Sequence, residues 1–390
     1  DGEGADCMAG TVERYGKGFR YRVQLGTDPG SGKRRWATKG GFATEKEATK
    51  AMHRVIVAAD DGLVVKRSTL RLGQYLTEWL ERVTPDLKAT TAAGYGRAVT
   101  KIDDKLGQVR VQDLTPLQIE RVYVGLVKDG LAPKTVRNLH SVLRRALADA
   151  ERLGLVIRNA AAAARPPSVP HHEQRTWSAT ELNAFLATVS DHRLLASFVV
   201  FATTGMRRGE VLGLRWSDVD LANGRLSVVN TITTVNGHPV ETSTKTKKSR
   251  RRVSLDAATL GALQTHQERQ DVERAAAGSA WSDTGLVFTR GDGSAIHPDR
   301  FSHWFADLVD KAGVSPIRLH DLRHTHATLA LEAGVHPKVV SERLGHATVG
   351  ITLDLYSHVT PSLDELAAEM IAALVDVPGQ SRSSAGTNVA

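Results

Sequence analysis

Between His320 and Tyr356 the chain gathers more reactive side chains than anywhere else along its 390 residues. His320, Arg323 and His324 are spaced i, i+3 and i+4, so a helix over about 319–333 puts two imidazoles and a guanidinium on one face. Gly334 and Pro337 interrupt that helix. Lys338 to Arg343 reads as a short second helix ending in Leu344 and Gly345, with the glycine suited to a C-cap and His346 at a fixed turn. Tyr356, a phenol, stands ten positions later among the apolar residues Leu353, Leu355 and Val359. The same spacing also describes a polar surface face or a set of hydrogen-bonded core histidines. A structural zinc site is a poor fit: no cysteine is near, and Asp321, the one carboxylate at hand, falls on a different helical face.

Further reactive groups lie upstream. In Thr204-Gly205-Met206-Arg207-Arg208-Gly209-Glu210, Arg207 sits behind a tight glycine turn at the mouth of a helix. That suits a guanidinium forking onto phosphate oxygens, and it equally suits a structural arginine paired with Glu210. Segments 225–235 and 239–243 flank Asn236-Gly237, a strong hairpin signal, and 251–255 offers another strand. The intervening turn, 244–249, projects Lys245, which is also what an ordinary solvated lysine at a hairpin tip would look like.

These groups need a scaffold. Ser178 or Thr180 caps a helix after Trp177, an apolar helix spans 192–203, and a helix at 257–277, a short strand at 286–288 and a helix at 298–312 lead back to His320. Near the start, alternation of Val12, Tyr15, Phe19, Tyr21, Val23 and Leu25 predicts a small antiparallel three-stranded sheet, followed by a helix over 45–59 behind a Thr44/Glu47 capping box. Its cations (Arg14, Lys17, Arg20, Arg22, Lys33, Arg34, Arg35, Lys39) outnumber Glu13 and Asp28, which fits a sheet lying in a major groove or a solvated basic face. After a polar connector at 60–67, helical patterns at 72–80, 90–101, 115–129 and 134–153 predict an all-helical unit, with Arg137, Arg144, Arg145 and Arg152 along its last long helix. Asn159, an alanine run and Arg165-Pro166-Pro167-Ser168-Val169-Pro170 read as an interdomain linker. The expected division is 1–66, a sheet-plus-helix domain; 67–165, a helical bundle; 166–377, a mixed α+β domain; and 378–390, a disordered tail. The fold class is therefore multidomain, mainly α with small β-sheets.

A net charge of +8 and pI near 9.6 imply a polyanionic partner, nucleic acid or an anionic membrane surface. No apolar run reaches membrane-spanning length, and the first residues lack a secretory signal, so a cytoplasmic protein is expected. Cys7, the single cysteine, excludes an internal disulfide and a cysteine-rich metal site; Met8 is a candidate native start.

Taken in order, Thr-Gly-Met-Arg-Arg-Gly-Glu, Lys-Thr-Lys-Lys-Ser-Arg-Arg, His-Asp-Leu-Arg-His-Thr and Leu-Gly-His followed by Tyr closely resemble the tyrosine recombinases, specifically phage and mobile-element integrases. The resemblance is strong over 177–375 and looser before. It implies an arm-type DNA-binding domain, a helical SAM-like core-binding domain and a catalytic domain. It assigns Arg207, Lys245, His320, Arg323, His346 and Tyr356 as catalytic: the arginines clamp the phosphate, His346 is a third donor, Tyr356 attacks to leave a 3′-phosphotyrosyl enzyme, His320 takes the phenolic proton and Lys245 protonates the leaving 5′-oxygen. No metal, cofactor or ATP is required. His324 is a packing or supporting residue and Lys247 the reserve for Lys245; Thr244 stands where the family often has proline. Tyr15, Tyr21, Tyr75, Tyr95 and Tyr123 are expected to pack. Arg20, Arg22, Arg34, Arg35, Arg137, Arg144 and Arg145 are the candidate DNA contacts. Leu363, Leu366, Met370, Ile371 and Leu374 mark an apolar stripe on a last helix that would be exchanged in a homotetramer on DNA. An excision factor or host DNA-bending protein is a possible further partner. The competing functions are a type IB topoisomerase-like nicking-religating enzyme and a catalytically silent DNA-binding regulator.

With many phosphates neutralised across three domains, the logarithm of DNA affinity should fall steeply and linearly with that of salt concentration. A titration that found a shallow slope would contradict engagement by all three.

Overall fold

The computed structural model describes residues 10–27, 32, 34–60, 68–170, 175–243, 250–346, 348–350 and 352–353. It divides into two compact units, Asp1–Pro170 and His171–Ala390.

In the first unit, β1 (Gly10–Tyr15), β2 (Gly18–Thr27) and β3 (Arg34–Phe42) form an antiparallel sheet in the order β1-β2-β3, followed by α1 (Glu45–Asp60). Side chains alternate across a strand. Tyr21 and Val23 are thus buried in a small core with Met52 of α1, while Arg20 and Arg22 take the other face. There Arg20 pairs with Glu13 at 2.5 Å and lies over the Tyr15 ring at 4.1 Å, and Arg22 lies over Trp36 at 4.9 Å. Tyr15 is therefore not the packing residue that the alternation suggested. It is 59% exposed, because its side chain points to the cationic face. Thr44 and Glu47 form the expected capping box.

The same unit holds α2 (Leu72–Val83), α3 (Ala89–Leu106), α4 (Pro116–Lys128), α5 (Pro133–Arg152) and the single turn α6 (Ala160–Ala163). Their apolar faces meet around Leu72, Leu76, Trp79, Ile119 and Leu143. Polar tips entering this core are satisfied: Tyr75 Oη donates to Ala146 O (2.6 Å), Trp79 Nε1 donates to Asp149 Oδ2 (2.8 Å), and Tyr123 Oη meets His140 Nδ1 (3.1 Å). Arg137, Arg144 and Arg145 are exposed along α5, Arg145 donating to Tyr95 Oη at 2.8 Å. Arg152 is ion-paired to Asp149 at 3.0 Å, which removes it from a free cationic stripe.

In the second unit, α7 (Ala179–Thr188), α8 (Leu195–Thr204) and α9 (Arg208–Leu212) precede β4 (Val219–Asp220), β5 (Arg225–Val228), β6 (Asn230–Val235), β7 (His238–Ser243) and β8 (Arg251–Ser254); α10 (Ala257–Ala277), α11 (Pro298–Ala312), α12 (Asp321–Glu332) and α13 (Pro337–Leu344) follow. Ser178 supplies the cap of α7 through a capping box with Glu181. The core is aromatic: Trp177, Phe185, Phe198, Phe201, Phe301 and Phe305 are fully buried, with Trp177 and Phe185 centroids 5.1 Å apart. Asn236 (φ +49) and Gly237 (φ +81) make the tight β6–β7 turn, both in the left-handed region that such two-residue loops demand.

Three expectations change. The apolar helix begins at Leu195 rather than His192, because the His192 ring accepts from Leu194 N (3.1 Å) and holds 192–194 in a turn. β8 pairs with β5, not β7, so β7 and β8 lie in different sheets; the turn expected over 244–249 lies outside the described residues. Residues 286–288 form no strand. The carbonyls of Leu286 and Val287 are taken by α10 side chains, Gln270 Nε2 lying 3.3 Å from Leu286 O, and His266 Nε2 2.8 Å and Gln270 Nε2 3.0 Å from Val287 O.

Gly205 closes α8 at φ +62, where an added Cβ would stand 2.4 Å from Leu344 Cδ2 and 2.7 Å from His326 Cδ2. Left-handed strain and overpacking together should make Gly205→Ala less stable by about 2 to 4 kcal/mol. Urea unfolding should show this as a lowered midpoint at unchanged slope.

Candidate active site

The end of α13 organises the site. A helix leaves its last carbonyls without intrahelical partners, and its C-terminus carries partial negative charge. Gly345, at φ +68, lets the chain turn back: Gly345 N donates to Glu342 O and His346 N to Ser341 O, both at 3.0 Å. Three successive carbonyls then point at three arginines from elsewhere in the chain. Arg251 Nε donates to Arg343 O (2.6 Å), Arg323 Nη2 to Leu344 O (2.7 Å) and Arg207 Nη2 to Gly345 O (3.0 Å).

Each guanidinium has a second anchor. Arg323 is 3% exposed, and its Nη1 donates to Gly205 O at 2.6 Å, tying α12 to the turn just before Arg207. Arg207 heads α9, and Glu210 closes the turn by accepting from Arg207 N (2.9 Å) and Nη1 (2.8 Å). Both readings of Arg207 therefore hold together: it is salt-bridged to Glu210, and its side chain remains 41% exposed toward solvent. Glu210, 4% exposed, also accepts from Arg251 Nη2 at 2.8 Å. Burial alone would raise its pKa, but the hydrogen bonds from Arg251 and Arg207 outweigh that and keep it a carboxylate.

The histidines are held neutral. Burial, then the positive charge of Arg323 and Arg207, pushes His346 down to about 4, and its Nδ1 lies 2.9 Å from Thr352 Oγ1. His320 at the N-cap of α12 meets His324 edge to face at 5.2 Å, so the i, i+4 spacing does place them together. Burial and then His320 bring His324 to about 4; burial and then Arg323 lower His320, although part of its surface stays exposed. Burial, then Arg207, lowers Arg323 to about 9, still protonated at neutral pH. His326, one helical position away from the predicted face, packs beneath the site with Nδ1 2.9 Å from Ala202 O and Nε2 unpartnered.

Arg207, His320, Arg323 and His346 are thus brought to one locus, with His324 beside His320. Lys245, the reserve Lys247, Tyr356, the helix expected over 361–374 and the tail lie outside the described residues, as does the side chain of Arg35. Among the described residues no cluster of His, Cys, Asp or Glu could hold a metal ion, and no helix is long and apolar enough to cross a membrane. The sequence reading missed Arg251. The signal was available: in β8 the apolar Val253 faces inward, so residue 251, two before it, shares that face.

Comparison with known proteins gives three matches in chain order. Residues 12–59 match the arm DNA-binding domain model, 71–127 the phage integrase N-terminal SAM-like domain, and 176–362 the phage integrase family. The chain is 30% identical over 375 residues to a XerC-like tyrosine recombinase of Caldanaerobacter subterraneus subsp. tengcongensis, covering 90% of this chain and 95% of that protein. It is 26% identical over 356 residues to the ICEBs1 integrase of Bacillus subtilis, covering 90% and 96%. Among solved structures, the Tn1549 transposon integrase in complex with transposon right end DNA matches with TM-score 0.66 at 19% identity, over 77% of this chain and 99% of that one. A lambda integrase tetramer bound to a Holliday junction matches with TM-score 0.56 at 19% identity, over 87% and 92%.

The lowered histidines set an acid limit on stability. His324, His326 and His346 sit at about 4 in the fold, against 6.5 ordinarily, so between those values the unfolded chain binds more protons. Stability should be full above about pH 6.5 and decline toward about pH 4. Denaturant midpoints measured across this range should fall with pH, and His326→Gln should flatten the dependence.

Proposed function

The chain belongs to the phage integrase family of tyrosine recombinases, enzymes that exchange DNA strands site-specifically, and on that premise we propose which of its residues perform the exchange. The observation that carries the assignment is the convergence of Arg207 and Arg323 on adjacent carbonyls, Gly345 and Leu344, immediately before His346. A guanidinium has five N–H donors, so both arginines keep donors for the non-bridging oxygens of a scissile phosphate after their protein contacts are made. With the Thr352 hydroxyl donating to Nδ1, the neutral His346 keeps its hydrogen on Nε2, a third donor to the charge that develops on the phosphate.

In this reading the Tyr356 oxygen attacks phosphorus and the bond to the 5′-oxygen breaks. The phenolic proton passes to His320, which is neutral at working pH and able to accept it, and Lys245 delivers a proton to the departing 5′-oxygen. The phosphotyrosyl ester preserves the bond for attack by the 5′-hydroxyl of another strand, which separates strand exchange from hydrolysis. The outer sheet face bearing Arg20, Arg22 and Arg34 would hold arm-type DNA, with Arg35 in the same strand, and Arg137, Arg144 and Arg145 on α5 would line the core site. The lambda integrase tetramer on a Holliday junction and the DNA-bound Tn1549 integrase support a homotetramer acting on attachment-site DNA; in this reading it works in the cytoplasm and exchanges between subunits the helix expected over 361–374. An excision factor or host bending protein would set its direction.

The test is a nicked duplex spanning the junction of the mobile element with its host DNA. The chain should become covalently attached to it and not to unrelated duplex, while Tyr356→Phe should bind the junction yet trap nothing. Trapping on any duplex would mark a nicking-religating enzyme instead, and none at all a silent regulator. Arg323→Ala should slow trapping by about 10²- to 10³-fold, the loss typical of a removed oxyanion donor.

A further inference from the structure

We infer that Arg251 is a positioning residue for strand exchange, holding Arg207 and the turn that carries His346 in one register on the scissile phosphate. The inference rests on the residue assignment above and concerns a side chain outside it.

Arg251 opens β8, with its side chain 7% exposed. Its guanidinium spans two sequence-remote partners. Nη2 and Nη1 reach Glu210 at 2.8 and 3.3 Å, and Nε reaches Arg343 O at 2.6 Å. Glu210 in turn holds the backbone and Nη1 of Arg207, and Arg343 O is two residues from Gly345, where Arg207 Nη2 lands. Arg251, Glu210, Arg207 and the end of α13 therefore close a ring of hydrogen bonds. The ring is tight: a Cβ on Gly345 would lie 3.1 Å from Arg251 Nη1. β8 itself is fixed by pairing to β5, with Val228 opposite Arg251.

A buried ion pair of this kind is weak evidence for stability, since burying two charges offsets much of their attraction. What it does supply is direction. Glu210 needs a second cation to stay a buried carboxylate while Arg207 turns toward solvent, and an arginine can satisfy it while also fixing the α13 carbonyl. Lysine, a point charge, cannot span both partners. A displacement of about 1 Å in phosphate-binding groups slows such chemistry by about 10²-fold.

The experiment uses the full chain and the nicked junction duplex. Arg251→Met and Arg251→Lys should bind the duplex within a few-fold of wild type and slow covalent trapping by about 10²-fold, lysine recovering only a minor part. A second substrate carries sulfur in place of the bridging 5′-oxygen, a leaving group that needs no proton. It should rescue a Lys245→Ala variant but neither Arg251 variant, because Arg251 acts on the phosphate clamp. Wild-type trapping by Arg251→Met, rescue of it by sulfur, or loss of binding and trapping together in both variants would each overturn the inference. If wild type traps nothing, or Tyr356→Phe still traps, it is the catalytic assignment that fails.

Discussion

Three backbone carbonyls at the end of one short helix, at Arg343, Leu344 and Gly345, each accept from a different arginine. A helix C-terminus presents its unpaired acceptors within a few ångströms, and its partial negative charge favours cations. Like charges are thereby gathered that would otherwise repel. Arg207, Arg251 and Arg323 come from three separate stretches of chain, and among the described residues only Glu210 of their direct side-chain partners carries a formal negative charge. The cluster keeps an excess of positive charge at a single place, and a phosphodiester is the natural ligand for such an excess.

Around that point the rest of the second unit acts as support. The aromatic core from Trp177 to Phe305 fixes α7, α8 and α11. Gly205 allows α12 and α13 to close over the end of α8, where a side chain would collide with Leu344 and His326. The neutral histidines follow from the same packing: burial next to fixed guanidinium charge disfavours a further proton.

The first unit uses charge differently. On its sheet the cations lie over aromatic rings, Arg20 on Tyr15 and Arg22 on Trp36, at an exposed face. At Arg22 stacking restrains a long side chain without neutralising it, whereas Arg20 is also paired with Glu13. Ion pairing does the reverse: Arg152 is tied to Asp149, while Arg137 and Arg144 stay exposed beside it on α5.

The sequence by itself determined what depends on local rules. Helix faces, the Asn236-Gly237 turn, the capping residues Thr44 and Ser178, and each of the arginine, lysine, histidine and tyrosine motifs are set within a few residues of one another. Those motifs led to the family, and the shared face of His320 and His324 follows from helical spacing alone. Only the tertiary structure decided what depends on partners distant in the chain. It paired β8 with β5, gave the carbonyls of Leu286 and Val287 to α10 side chains, turned Tyr15 outward, and put Arg251 against Glu210 and the end of α13. The reason is physical: a buried polar group must find a partner, and which one it finds is fixed by where the chain brings a donor or acceptor, at separations that no periodicity records.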